Sequence, residues 1–77
     1  MEKVKLIWDF RGAAAAQTAV HHAKHLTEFA AAEHAKFYEI GSENVSEFHS
    51  LAFVIVQRDE ILKYRDILKP HRAVLAD

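Results

Sequence analysis

Along residues 3–11 (KVKLIWDFR) polar and apolar positions alternate, with Val4, Leu6, Trp8 and Phe10 on one side and Lys3, Lys5, Ile7, Asp9 and Arg11 on the other. A period of two predicts a half-buried strand. Ile7 is the apolar exception at the centre of its second face. Gly12 breaks the run and is read as a helix N-cap. From there to residue 35 the period lengthens, predicting a helix of about 22 residues, roughly 33 Å long. At 100° per residue Ala15, Ala19, His22, Ala23, Leu26, Phe29 and Ala30 share one arc, the expected core face. The opposite arc carries Ala13, Gln17, Val20, Lys24, Thr27, Ala31 and Ala35, while His21, His25 and Glu28 lie together on a flank.

Residues 37–42 (FYEIGS) read as a second strand reaching about residue 43, with Asn44-Val45-Ser46 as the following turn, although the turn residues could begin as early as Gly41. Residues 48–57 (FHSLAFVIVQ) give the strongest strand signal. Leu51, Phe53 and Ile55 point one way and Ala52, Val54 and Val56 the other, so an inner strand covered on both faces is expected. A second helix opens at Arg58 or Asp59, with Asp59 and Glu60 complementing its dipole. Ile61, Tyr64, Ile67 and Leu68 form its predicted buried stripe, and Pro70 ends it. Residues 73–76 (AVLA) supply a short edge strand.

The order β-α-β-β-α-β over a single domain, residues 1–77, predicts the α+β class. The arrangement expected is the ferredoxin-like split βαβ, a four-stranded antiparallel sheet with two helices on one face. A less regular α+β sandwich with the second strand displaced is the alternative. Helices on one side leave the other sheet face open. Ile7 and one row of the 48–57 strand would then expose a large apolar patch, which a homodimer could cover.

Composition narrows the rest. Half of the 77 residues are hydrophobic and the formal net charge is −1. That near-neutral balance argues against nucleic acid as a partner. No apolar run is long enough to span a bilayer and no signal peptide is apparent, so a cytoplasmic, non-membrane protein is expected. The chain has no cysteine, hence no disulfide or thiolate-zinc staple. Its two glycines form no phosphate-binding loop, and no GxSxG or HExxH motif occurs.

Two sets of residues could carry chemistry. His21 and His25, spaced i, i+4, with Glu28 beyond them, present two imidazoles and a carboxylate that zinc or nickel could accept. Ordinary surface histidines are the commoner case, and no cofactor is assigned. Asp9, His22, His49, His71 and Arg72 could converge at strand ends as a small acid–base pocket, with Asp9 approaching His22 across the strand–helix turn. This is the basis of an alternative reading as a small dimeric enzyme or ligand-binding protein. No spacing forces that convergence, and scattered polar residues are more often solvated or structural.

The stretches KLIWDFRG, HSLAFVIV and LKPHR resemble small, poorly characterised bacterial ferredoxin-like proteins. The resemblance implies the fold and a tendency to dimerise. The first helix departs from natural habit, opening on Ala13-Ala14-Ala15-Ala16 where Asp, Glu, Ser or Pro would satisfy free N–H groups and the dipole. Its outer face is short of charge, with Val20 near the middle. Those features suggest an engineered chain and a non-enzymatic protein–protein interaction module. The expected partner-binding residues are Ala13, Ala16, Gln17, Val20, His21, Lys24, Thr27 and Ala31, and the expected partner is a protein docked on helix one.

Overall fold

The computed structural model describes residues 2–76. Its elements run β1 (Lys3–Arg11), α1 (Ala15–Glu33), β2 (Glu39–Ser46), β3 (His49–Gln57), a 3-10 turn (Arg58–Glu60), α2 (Ile61–Leu68) and β4 (Arg72–Leu75). The strands form one sheet in the order β2-β3-β1-β4. Every neighbouring pair is antiparallel. This is the expected α+β, ferredoxin-like arrangement.

Register explains the two faces. Leu6 pairs with Val54 and Trp8 with Ala52, so Val4, Leu6 and Trp8 of β1 and Ala52, Val54 and Val56 of β3 point to one side. There they form the main core with Leu26 of α1 and Tyr64 of α2. Phe29, Phe37 and Tyr64 close it with ring contacts, Phe37 and Tyr64 having centroids 4.9 Å apart. Trp8 ties the layers together, donating its indole N–H to the Leu68 carbonyl at 3.0 Å. Both helices therefore bury their apolar stripes against the same sheet face.

Tertiary contacts move several boundaries. Gly12 is not the N-cap; it turns the chain with φ 112°, a conformation that side chains disfavour, and donates its N–H to Phe48. Ala14 caps α1 instead, and His34, directly after Glu33, closes it in the left-handed conformation. Ala35, expected on the outer arc, consequently lies beyond the helix and packs partly buried on the core. In β2 the expected turn Asn44-Val45-Ser46 is strand, because pairing with β3 satisfies its backbone through a bulge between Asn44 and Ser46. Strand β2 also begins two residues later than its apolar Phe37 implied. On α2, Ile67 is 53 % exposed rather than part of the buried stripe. The helix is only eight residues long, and its contact with the sheet is spent on Ile61, Tyr64 and Leu68.

The helix-free face differs most from expectation. Ile7, Leu51 and Phe53 do lie there, but each is at most 6 % exposed. The Phe53 ring packs against Gly41, where a Cβ would come to 3.0 Å from it. The Lys5 ammonium sits 4.3 Å above the same ring and pairs with Glu43 at 2.6 Å. The Lys5 side chain thus covers the Phe53 ring while its charged end pairs with Glu43. Ile7, Leu51 and Phe53 therefore do not form the exposed apolar patch anticipated on this face.

Candidate functional site

The outer side of α1 is built by what the helix buries. With Ala15, Ala19 and Leu26 turned into the core, the 3.6-residue period sends Ala16, Gln17, Val20, Lys24, Thr27 and Ala31 outward. All six are exposed, as are Ala13 just before the helix and His21 at the edge of the row. Val20 is 60 % exposed. Ala16, Gln17, Val20, His21 and Lys24 line a shallow concavity. The Thr27 hydroxyl donates to the Ala23 carbonyl at 3.0 Å, which commits its proton to the helix itself. The helix has no side-chain bond at its N-cap, no acid in its first turn and no base in its last.

The second candidate set is brought together only in part. On the open sheet face Asp9 of β1 stands between β3 and β4. Its carboxylate accepts from the Arg72 guanidinium at 2.8 and 3.1 Å and from His49 Nε2 at 2.8 Å. The backbone N–H of Asp9 donates to His71 Nδ1 at 2.8 Å. This contact has a structural cause. Pairing of β1 with β4 ends at Ile7–Arg72, so beyond it the β1 edge has no strand partner, and the His71 ring supplies the missing acceptor.

His22 stands apart on the other side of the sheet. It packs between Trp8 and Phe10, with ring centroids 5.0 and 5.5 Å away. The expected approach of Asp9 to His22 fails because successive strand residues face opposite ways. Arg72 first, through its hydrogen bonds, and then His49 hold the Asp9 carboxyl well below the usual range, against an opposing push from burial. An acid so stabilised in its charged form, with both oxygens occupied, is poorly suited to moving protons near neutral pH. The concavity bounded by Glu2, Gln57, Arg58 and Asp59 and the one along α1 are lined by other side chains.

Burial lowers the His22 pKa, as do the neighbouring His25, His71 and His21 charges, and its Nε2 is buried without a hydrogen-bond partner. Replacing it with an apolar ring, His22→Phe, is therefore expected to stabilise the fold by about 1 kcal/mol. The unfolded imidazole binds its proton near the ordinary 6.5 and the folded one only at lower pH. Stability of the parent chain must then fall as pH drops below that value, and His22→Phe must remove that part of the decline. Urea unfolding at pH 7.5 and 5.5 checks both points.

His21, His25 and Glu28 form a chain of contacts rather than a three-ligand cage. The two Nε2 atoms are 2.9 Å apart, and Glu28 approaches the other nitrogen of His25, Nδ1, at 3.2 Å. Sequence reasoning grouped Arg72, Asp9 and His49 with His22 and His71 but gave no spacing that forces them together, since His49 and Arg72 are 40 and 63 residues from Asp9. Among the described residues no helix is long and apolar enough to cross a membrane. Comparison of the chain with models of known protein families, with curated proteins and with solved structures returns no match.

Proposed function

We propose that the chain is a non-enzymatic protein-interaction module that docks a protein partner on the outer face of α1. The observation that carries this reading is Val20, 60 % exposed in the middle of a row with few charges. Small residues at Ala13, Ala16 and Ala31 let a partner backbone come close, Val20 supplies an apolar anchor, and Gln17, Lys24, Thr27 and His21 form a polar rim. The N-terminal end of α1, with no side-chain cap and no acid in its first turn, favours an engineered derivative of a small bacterial ferredoxin-like scaffold, its helix trimmed for docking.

The competing reading, a small dimeric enzyme or ligand-binding protein using Asp9, His22, His49, His71 and Arg72, is weaker. Its carboxylate is saturated by neighbours, and His22 lies on the opposite side of the sheet. Self-association through the open sheet face is likewise a weaker proposal, because the apolar residues it would cover are already buried in one chain.

Val20→Glu and Ala31→Arg place a charge at the centre and at one end of the docking row. Each is expected to reduce partner capture by the immobilised chain at least about tenfold, since an unpaired charge buried in an interface costs several kcal/mol. Melting temperature should stay within about two degrees, as both positions are exposed. Leu62→Glu, on the exposed side of α2, serves as the control. Capture that is equal for all three variants removes the proposal.

A further inference from the structure

The flank of α1 beside this face carries a separate feature. We propose that His21 and His25 form a two-imidazole chelate for a divalent transition metal of tetragonal preference, copper(II) ahead of nickel(II), with Glu28 as the outer carboxylate that orients His25. The inference rests on geometry and does not depend on partner binding through Val20.

Residues i and i+4 lie one above the other on a helix, which brings the two rings to a centroid distance of 4.4 Å and their Nε2 atoms to 2.9 Å. Two nitrogens bound at about 2.0 Å to one ion stand about 2.8 Å apart at right angles and about 3.3 Å apart at a tetrahedral angle. The observed separation matches neighbouring positions of a square or tetragonal site, the geometry that copper(II) and nickel(II) favour. Divalent affinity in the first transition row peaks at copper, which sets the order.

Glu28 fixes which nitrogen is available. Its carboxylate lies 3.2 Å from His25 Nδ1, where its charge favours the tautomer that carries the proton on Nδ1 and leaves the Nε2 lone pair free. A carboxylate on the far nitrogen of a ligating imidazole is the usual outer partner of a metal-bound histidine. With His25 in that tautomer and no metal bound, His21 is the donor in the contact between the two Nε2 atoms, so its Nε2 carries the hydrogen. On binding, that hydrogen moves to His21 Nδ1 through solvent, and both rings turn away from the line joining the two nitrogens so that their lone pairs meet at the ion. Both rings are exposed, so nothing packed against them opposes the adjustment. Among the described residues no three His, Asp or Glu side chains gather as a metal cage. Water therefore fills the remaining coordination positions.

The test is titration of the full chain with copper(II) chloride, followed by visible absorption and by broadening of the histidine ring proton signals. One ion per chain should bind, with the His21 and His25 signals lost first. Melting temperature should rise with copper, because the ion bridges one helical turn of the folded state. His21→Ala and His25→Ala should each weaken binding by about tenfold or more, and Glu28→Gln by about tenfold. Val20→Glu and His34→Asn should leave copper uptake unchanged, which separates this site from the docking face. Affinity unaltered in His21→Ala and His25→Ala, or first broadening at His34 or His71, overturns the chelate. Unaltered affinity in Glu28→Gln overturns the role of the carboxylate.

Discussion

Trp8→Ala is expected to cost about 3–5 kcal/mol and to leave a large share of the chain unfolded at 37 °C. Trp8 is 3 % exposed at the middle of the sheet face that receives both helices. Its ring packs tilted against His22 of α1 while its N–H holds the carbonyl of Leu68, the last residue of α2. Truncation removes the largest core side chain and leaves that carbonyl at the helix end without its donor. At about 0.05–0.15 kcal/mol per residue, a chain of 77 residues has only about 4–12 kcal/mol in total. Trp8→Phe separates the two contributions. It keeps most of the apolar area and loses the hydrogen bond, so a smaller loss of about 1–2 kcal/mol is expected. Equal destabilisation by the two substitutions, measured by urea unfolding, would show that the hydrogen bond rather than the ring pins α2.

The second large effect is at Asp9, and it depends on pH. The carboxylate is 14 % exposed and bonded from both sides, so Asp9→Asn should destabilise the chain by about 2 kcal/mol at pH 7. That figure allows for solvent screening on the exposed Arg72 side. Because the folded carboxyl titrates below its ordinary value of 3.8, the unfolded chain takes up the proton first as acid is added. Where the unfolded state holds more protons, stability falls with falling pH. The contribution of Asp9 is then complete above about pH 5, shrinks below about pH 4, and is gone once the pH passes beneath the folded value. Asp9→Asn should lack this component and converge on the parent chain in acid. A constant gap between the two from pH 7 to pH 2.5 would mean that the Arg72–Asp9–His49 row adds nothing through its charge.

This row also shows where reading the chain residue by residue stops. The alternation of β1 places Asp9 on the same face as Ile7, and nothing local says what else arrives there. His49 and Arg72 come beside it because Ile7 pairs with Phe53 on one side and with Arg72 on the other. A shift of one residue in either pairing would turn the arriving side chains to the opposite face. The outer row of α1 was legible for the contrary reason. Helical period is local, so burying Ala15, Ala19 and Leu26 already dictates that Val20 points away. Ile67 misled because an apolar residue on a short helix looks like core until the width of the sheet beneath is known.

The sequence by itself determined the element order, the two faces of β1 and β3, the stop at Pro70 and the outward row of α1. Each depends on contacts between residues a few positions apart. Only the tertiary structure decided how far β2 runs and how the open face is covered. It likewise decided that Asp9 closes a network instead of opening a pocket. Those outcomes hang on strand register and on side chains reaching across three strands, and both are settled by non-local pairing. The flank of α1 lies between the two cases: spacing brought His21, His25 and Glu28 to one side, and only coordinates revealed that the first two aim at each other while the third holds the back of the ring.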